Sequence, residues 1–184
     1  MFIQTESTPN PATLKFIPGR EVMSEGVADF RTPEEAVASP LARRLFEIDG
    51  VEGVFFGADF VAVTKGTGEW QHLKPPILGA IMEHFTSGAP LFETGAAAAA
   101  PEEGESDDDD VVAQIKELLD TRIRPAVAQD GGDIAFHSFK DGTVYLHMRG
   151  ACAGCPASTM TLKQGIENML RHYVPEVETV EPIL

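Results

Sequence analysis

The two cysteines of the chain, Cys152 and Cys155, are separated by two residues and carry its clearest chemistry. The small residues Ala153 and Gly154 between them let the backbone curl and turn both sulfurs toward one point. Pro156 follows at once and suits the first turn of a helix, where its missing N–H costs nothing. A helix N-terminus beside the sulfurs is expected to lower the thiol pKa and favour the thiolate, the form that binds metal. The sequence therefore predicts a metal-binding or redox-active pair.

Two thiolates complete neither a tetrahedral zinc site nor an iron–sulfur cluster, since both usually take four protein ligands. The residues leave three interpretations open. Two chains can contribute two cysteines each, or the pair can cycle between dithiol and disulfide. In the third interpretation histidines complete a zinc site, and His137 and His147 on the preceding strands are the candidates. This third interpretation is the least favoured, because a histidine on a strand is usually a half-exposed surface residue.

The elements that must position the cysteine pair are predicted in the order α-β-β-α-β. An amphipathic helix precedes a turn with two glycines, and Asp-Gly joins two strands as in a tight hairpin. The cysteines then lie between a strand and a helix. The predicted elements are a helix from Val111 to Ile123 that Arg124-Pro125 kinks or shortens, strands Ile134–Phe139 and Thr143–Met148, a helix from Pro156 to Tyr173 and a strand Val177–Ile183.

The N-terminal part is predicted to mix strands and helices in a separate domain. Ser39 and Pro40 have the residue types of an N-cap and a first helical position. The predicted strands are Phe2–Glu6, Thr13–Ile17, Val51–Phe56 and Phe60–Lys65, the last two forming a hairpin. A helical pattern from Trp70 to Phe85 is expected to be interrupted at Pro75-Pro76.

Charge is concentrated between these two parts. The chain of 184 residues has 29 acidic and 14 basic side chains and a formal net charge of −15. Residues 91–110 contribute 8 of the acidic side chains and no basic one. Like charges repel and little there is apolar, so an extended, mobile linker is expected. The predicted fold class is α+β: two small mixed α/β domains, residues 1–90 and 108–184, joined by an acidic flexible linker at 91–107.

Several function classes are disfavoured by the same sequence. It has no basic stripe of the kind that nucleic-acid-binding proteins show. It has no run of about 20 apolar residues to span a membrane. The first residues resemble no secretory signal, so the expected location is the cytoplasm, or the mitochondrial matrix if a presequence has been removed. No P-loop lysine and no Ser/His/Asp arrangement is found, and the protein is predicted not to be an enzyme.

Two segments of the C-terminal part closely resemble the C-terminal domain of NifU, the Nfu domain. They are residues 124–134 (RPAVAQDGGDI) and residues 150–163 (GACAGCPASTMTLK). The opening residues 5–16 (TESTPNPATLKF) resemble the separate N-terminal domain found in many Nfu proteins. Two independent resemblances in the expected order cover nearly the whole chain except the linker.

What the resemblance implies is a carrier of iron–sulfur clusters. Nfu-type proteins hold a [4Fe–4S] cluster between two subunits through the CxxC of each, which makes a homodimer of the loaded form. Carried over by position, the ligands are Cys152 and Cys155. The implied partners are an upstream cluster donor and apo iron–sulfur recipient proteins. Arg149 and Lys163 are either charges that screen the anionic cluster or ordinary surface charges, and a CxxC thiol-disulfide oxidoreductase remains the competing function.

Overall fold

The structure, a computed structural model, describes residues 1–93, 109–153 and 156–183. The chain divides into two compact units, Met1–Ala99 and Ala100–Leu184. Each unit combines helices with a β-sheet, so the predicted α+β class is confirmed. Most of the predicted linker, residues 94–107, lies outside the described residues. None of the helices described in these three ranges has the length and apolar character needed to cross a membrane.

The first unit is built on a five-stranded sheet in which every neighbouring pair is antiparallel. The spatial order is β1-β2-β5-β4-β3, so the central strand β5 pairs with both the N-terminal hairpin and β4. Apolar and aromatic residues dominate β4 and β5, as expected for strands in the middle of a sheet. The strands are β1 Gln4–Ser7, β2 Thr13–Ile17, β3 Ala28–Phe30, β4 Val51–Phe56 and β5 Val61–Lys65.

Two α-helices cover this sheet, α1 (Pro40–Phe46) and α2 (Trp70–Ser87), with a 3-10 turn at Glu35–Ala38 before α1. Ser39 caps α1 as predicted, since its side-chain oxygen accepts a hydrogen bond from the Ala42 N–H at 3.3 Å. The capping residue is itself fully buried. The core between helices and sheet is formed by the fully buried side chains Phe16, Leu41, Leu45, Phe56, Ile77 and Ile81.

The predicted interruption of α2 at its two prolines is wrong, because the helix continues through Pro75 and Pro76 to Ser87. A proline inside a helix removes a hydrogen bond to the carbonyl four residues earlier. Here those carbonyls belong to Gln71 and His72, whose side chains are on the exposed face, where water can replace the lost donor. The buried face of α2 lies elsewhere and holds the helix against the core.

The first unit also extends beyond its predicted end at residue 90. Leu91 and Phe92 pack against its core, and the Glu93 N–H donates to the Ala38 carbonyl oxygen at 2.8 Å. Arg43 forms an ion pair with Glu93. Residues 91–93, the beginning of the predicted linker, are therefore part of the folded unit. Two aromatic contacts of Phe92 explain this, since it packs against Phe30 and Phe56.

The second unit has a three-stranded sheet of order β6-β7-β8. β6 and β7 form an antiparallel hairpin, whereas β8 pairs with β7 in parallel. Parallel neighbours need a crossover connection, and α5 provides it. The described elements are α3 Asp109–Leu118, a π-helical turn Leu119–Ile123, α4 Arg124–Gln129, β6 Gly132–Lys140, β7 Thr143–Gly150, α5 Pro156–Tyr173 and β8 Thr179–Ile183.

Two local features follow from residues that the sequence had singled out. Just before the predicted kink at Arg124-Pro125, the helix changes to a π-helical turn, and it then continues as α4. The helical geometry is altered there, but the helix does not end at the proline. The β6–β7 turn places Asp141 and Gly142 at φ of 50° and 75°. Positive φ at both central residues is the conformation that makes Asp-Gly a hairpin signal.

The helices and the sheet of this unit enclose a second core, to which elements from α3 to β8 contribute side chains. Each fully buried Leu or Ile there contributes about 1.5–3 kcal/mol relative to an exposed side chain. The innermost side chains are Ile115, Leu119, Ile134, Leu146, Met148 and Leu170. Cys152 belongs to the same cluster, so the cysteine loop closes one end of this core.

Candidate metal centre

Cys152 lies in the connection between β7 and α5, at the strand–helix junction that the sequence predicts. β7 ends at Gly150, whose φ of 61° turns the chain out of the strand direction. The second predicted ligand, Cys155, and its neighbour Gly154 lie outside the described residues. α5 begins directly after them, at Pro156.

Three hydrogen bonds fix the described part of this loop. The Ala151 N–H donates to the Gly131 carbonyl oxygen at 3.2 Å, and the Ala153 N–H donates to that of Gly150 at 3.1 Å. The Thr159 hydroxyl donates to the Cys152 carbonyl oxygen at 3.1 Å. The loop is therefore tied both to the glycine turn before β6 and to the first turns of α5. The Thr159 hydroxyl thus belongs to the network that holds the loop backbone.

Gly132 gives the cysteine sulfur its space. A Cβ atom at this position would lie 2.5 Å from Cys152 Sγ and 2.8 Å from the Arg149 carbonyl oxygen. Neither contact is tolerated without a shift of the sulfur or of the β7 backbone. Gly132 is the first residue of β6 and pairs with Gly150 of β7, so the two strands meet at their ends where the cysteine loop begins. A side chain on Gly132 is excluded by the position of the sulfur.

The environment of Cys152 differs from the expected one. The residue is only 5% exposed. Burial is the main cause that raises the pKa of its thiol to about 12, and the negative charges of Asp130 and Asp133 act in the same direction. The expectation that this pKa is lowered is therefore wrong, because desolvation of the thiolate and two nearby carboxylates raise it. Without a metal, Cys152 is a protonated, weakly nucleophilic thiol.

The two carboxylates come from the turn Asp130-Gly131-Gly132-Asp133, which the sequence had identified only as a turn. Asp133 is 4% exposed, and the Arg124 guanidinium donates to both of its carboxylate oxygens, at 2.9 and 3.3 Å. Sequence reasoning missed this ion pair. The available signal was an arginine and an aspartate on either side of a glycine turn, but their nine-residue separation spans α4 and that turn and fits no simple helical spacing.

The other polar residues considered from the sequence have separate roles. His137 and His147 lie on neighbouring strands and contact each other edge to face, with ring centroids 4.8 Å apart. Lys163 forms an ion pair with Glu181 at 2.9 Å, which joins α5 to β8. Arg149 pairs in register with Asp133, next to the cysteine loop. Within residues 1–93, 109–153 and 156–183, no three His, Cys, Asp or Glu side chains are gathered to hold a metal ion.

α5 is fastened to the sheet at its middle, which fixes the helix that follows the cysteines. Glu167 accepts hydrogen bonds from the Thr179 hydroxyl at 3.0 Å and from the Val180 N–H at 3.2 Å. These bonds, with Thr179 the larger cause, lower the pKa of the Glu167 carboxyl. Together with the Thr159 bond, they anchor α5 at both the loop and the edge strand.

Two protein-family models match the chain, one in each unit. Residues 3–88 match "Scaffold protein Nfu/NifU N terminal", and residues 115–181 match "NifU-like domain". Both agree with the resemblances noted in the sequence, and the second match includes the whole described part of the cysteine loop.

Similar curated proteins cover nearly all of the chain. The "NFU1 iron-sulfur cluster scaffold homolog, mitochondrial" of Homo sapiens is 54% identical over 186 residues, which is 100% of this chain and 72% of that protein. "NifU-like protein 4, mitochondrial" of Arabidopsis thaliana is 57% identical over 185 residues, 98% of this chain and 65% of that protein. The chain thus spans about two thirds to three quarters of the length of these relatives. A solved structure of a NifU-like protein from Saccharomyces cerevisiae matches with a TM-score of 0.47 at 24% identity, covering 51% of this chain and 86% of that one.

Proposed function

Because the chain belongs to the family of NifU-like proteins with an Nfu-type N-terminal domain, we propose that it is an iron–sulfur cluster scaffold. Two copies hold one [4Fe–4S] cluster through Cys152 and Cys155 of each copy and then transfer it to apo-proteins. The cluster is the cargo of the protein, and no substrate is turned over. A cluster donor supplies it, and several relatives are named as mitochondrial, so the matrix or an equivalent reducing compartment is the proposed location.

The observation that carries this proposal is a shortage of ligands at a well-formed site. The chain has two cysteines, and Cys152 is held between β7 and α5 in a loop fixed by three hydrogen bonds. A [4Fe–4S] cluster takes four cysteine thiolates, so one copy supplies half of them. Soft thiolate donors also match iron–sulfur clusters better than they match hard cations. A second copy related by a two-fold axis completes the set.

The loop has features suited to holding a cargo and releasing it. Metal coordination deprotonates a thiol outright, so bound iron keeps Cys152 as a thiolate in spite of its burial. When the cluster leaves, the buried sulfur returns to the neutral thiol that its surroundings favour. A cluster at the seam of two copies is open to thiolates of a recipient, and the two copies can separate as it leaves. The residues thus support transfer by ligand exchange.

A thiol-disulfide oxidoreductase is the competing function for a CxxC pair, and the environment of Cys152 counts against it. Such enzymes attack through a thiolate whose pKa lies near or below the ambient pH. Burial raises the pKa of Cys152 to about 12, which leaves almost no thiolate at neutral pH. The first cysteine of this loop is therefore a poor nucleophile in the metal-free protein.

Anaerobic reconstitution with iron and sulfide tests the proposal. We expect visible absorption typical of a [4Fe–4S] cluster, about four irons and four sulfides per two chains, and a shift from a smaller species to a dimer on loading. Replacing Cys152 by Ser is expected to abolish uptake while the thermal unfolding midpoint of the metal-free protein stays close to that of the original. A protein that takes up no iron, or a single chain that holds a complete cluster, would contradict the proposal.

Transfer is tested by mixing the loaded protein with an apo-protein that needs a [4Fe–4S] cluster and following the activity that the recipient gains. We expect activation faster than with free iron and sulfide at equal concentrations, and unaffected by a chelator that captures free iron. Activation that the chelator prevents would mean that the cluster passes through solution, against a carrier role.

A further inference from the structure

Arg124, at the start of α4, links two carboxylates in very different surroundings. Its Nε and Nη2 atoms donate to the two oxygens of Asp133 at 2.9 and 3.3 Å, and its Nη1 atom donates to Asp120 at 3.1 Å. The side chain of Asp133 is 6% exposed, whereas that of Asp120 is 63% exposed. The guanidinium thus reaches from the surface to a buried anion.

The residue that carries the buried carboxylate lies beside the cysteine loop. Asp133 directly follows Gly132, the residue whose missing side chain leaves room for Cys152 Sγ. Asp133 of β6 pairs with Arg149 of β7, and Arg149 lies two residues before Ala151, where the cysteine loop begins. A carboxylate buried here without a partner would be costly by itself, and it would also repel a thiolate on Cys152.

The geometry therefore points to Arg124 as a positioning residue of the cluster site, one that acts through Asp133. By pairing with both oxygens of Asp133, it fixes the carboxylate and compensates the negative charge that the cluster and its thiolates would otherwise face. This inference rests on the proposed function, because the charge matters only when an anionic centre is assembled at Cys152. Arg124 itself does not need to touch the cluster.

The choice of arginine follows from the shape of the contact. Its planar guanidinium presents two parallel N–H donors to one carboxylate and still has a third for Asp120. A lysine offers one compact charge and cannot make the paired contact. Lysine at this position is therefore expected to restore the charge without the geometry.

The experiment compares four variants of the full chain with the original protein: Arg124→Gln, Arg124→Lys, Asp133→Asn and the double variant Arg124→Gln/Asp133→Asn. Arg122→Gln is the matched control, since Arg122 lies in the same helical stretch but stacks on the Tyr173 ring, 4.9 Å from its centroid. Each loaded protein is measured for the rate at which a chelator removes the cluster and for the reduction potential of the cluster.

Arg124→Gln leaves Asp133 uncompensated, so we expect cluster loss about tenfold faster and a lower reduction potential. The double variant removes the charge as well as its partner and should bring the rate back to within about threefold of the original. Arg124→Lys should lie between, and Arg122→Gln should match the original. An Arg124→Gln protein that keeps its cluster as long as the original would overturn the inference.

Asp133→Asn tells whether the ion pair acts through its charge or only through packing. This variant stays informative if Arg124→Gln does not fold. It removes the anion and leaves a half-exposed arginine, so the cluster should be lost no faster and its reduction potential should rise. If Asp133→Asn or the double variant loses its cluster as fast as Arg124→Gln, the pair matters for packing and the charge role is refuted.

Cadmium in place of iron and sulfide distinguishes failure of this inference from failure of the proposed function. A cadmium ion held by four thiolates is also a net anion, and its sulfur-to-metal absorption reports thiolate binding directly. The variants should rank in the same order in cadmium affinity. If that order holds but no variant takes up a cluster, the scaffold function is wrong and the role of Arg124 stands. If clusters form but neither assay depends on Arg124, only the role of Arg124 is wrong.

Discussion

The two units bury polar groups for different purposes. In the first unit, two of these groups pair with near neighbours in a turn or an adjacent strand: Asn10 accepts from the Ala12 N–H at 3.0 Å, and the Thr13 and Thr64 hydroxyls are 2.8 Å apart. In the second unit, buried Asp133 depends on an arginine from another element, and buried Cys152 has a raised pKa. Asn10 and Thr13 thus bond within the turns and strands of their own fold, whereas Asp133 and Cys152 lie at the end of the second unit where the cysteine loop begins.

Glycines show the same difference. Gly79 lies in α2 with nothing within 4 Å of where a Cβ would be, so it has no steric role there. Gly132 is packed against a sulfur and a carbonyl oxygen. Substituting each glycine by alanine therefore probes the difference between the two units directly.

The largest effect is expected for Gly132→Ala. The added methyl group must displace Cys152 Sγ or the β7 backbone, at a cost of about 1–3 kcal/mol of stability, and the sulfur then leaves the position from which we propose that it binds iron. We expect cluster uptake, measured by iron counting after reconstitution, to fall to a small fraction of the original.

Gly79→Ala is the matched control for that variant. Alanine is favoured over glycine inside a helix by about 1 kcal/mol, so the first unit should become more stable and cluster uptake should not change. Full cluster uptake by Gly132→Ala would mean that the loop adapts freely and that the tight packing around the sulfur has no role in binding.

Much of this site was predictable, because its chemistry depends on short local patterns. The CxxC spacing, the proline after it and the Asp-Gly hairpin each specify a local conformation, and together they place Cys152 between a strand and a helix. Ser39 was recognised as the cap of α1 for the same reason: its role is decided within four residues of chain.

The features that sequence reasoning missed depend on tertiary packing. The pKa of Cys152 was expected to fall because the sequence predicts a helix N-terminus beside it. The burial that raises this pKa is instead a property of the folded core. The Arg124–Asp133 pair depends on how the glycine turn folds the start of β6 back toward α4. The two prolines of α2 were expected to break the helix, since the sequence does not show that Gln71 and His72, which lose their hydrogen-bond donors, are on the exposed face.

An intermediate effect is expected from exposed methionines, one in each unit. Met160 is 64% exposed and follows Thr159, the residue bonded to the Cys152 carbonyl, so it lies beside the cysteine loop. In the proposed cluster-bridged dimer, the second copy approaches this part of α5 to bring its own cysteines to the cluster. Met160→Glu is expected to weaken dimerisation of the loaded protein about tenfold, because it replaces apolar contact by a charge.

Sedimentation of the loaded protein over a range of concentrations measures this. Met82, 42% exposed on α2, provides the control, and Met82→Glu should leave the dimer as it is. If both substitutions weaken dimerisation equally, the first unit contributes to the dimer contact as much as the second. The two units would then not differ in this respect.

The smallest effect concerns pH and belongs to the first unit. His84, in the last turn of α2, is 3% exposed, and burial, followed by the nearby charge of Arg44, lowers the pKa of its imidazole. The unfolded chain, with an ordinary pKa of about 6.5, then binds a proton more readily than the folded one. The free energy of unfolding must therefore rise with pH between the folded pKa and about 6.5, and stability is lost as the pH falls through that range.

Urea unfolding of the metal-free chain at pH values of about 7.5 and 5.5 measures the effect. The quantity to compare is the loss of unfolding free energy in each variant, because carboxylates also titrate in all of them as the pH falls. His84→Gln removes the group and should reduce the loss of stability on acidification. His72→Gln, at an exposed position of the same helix, should leave it unchanged. If His84→Gln loses as much stability as the original, the buried histidine is not titrating.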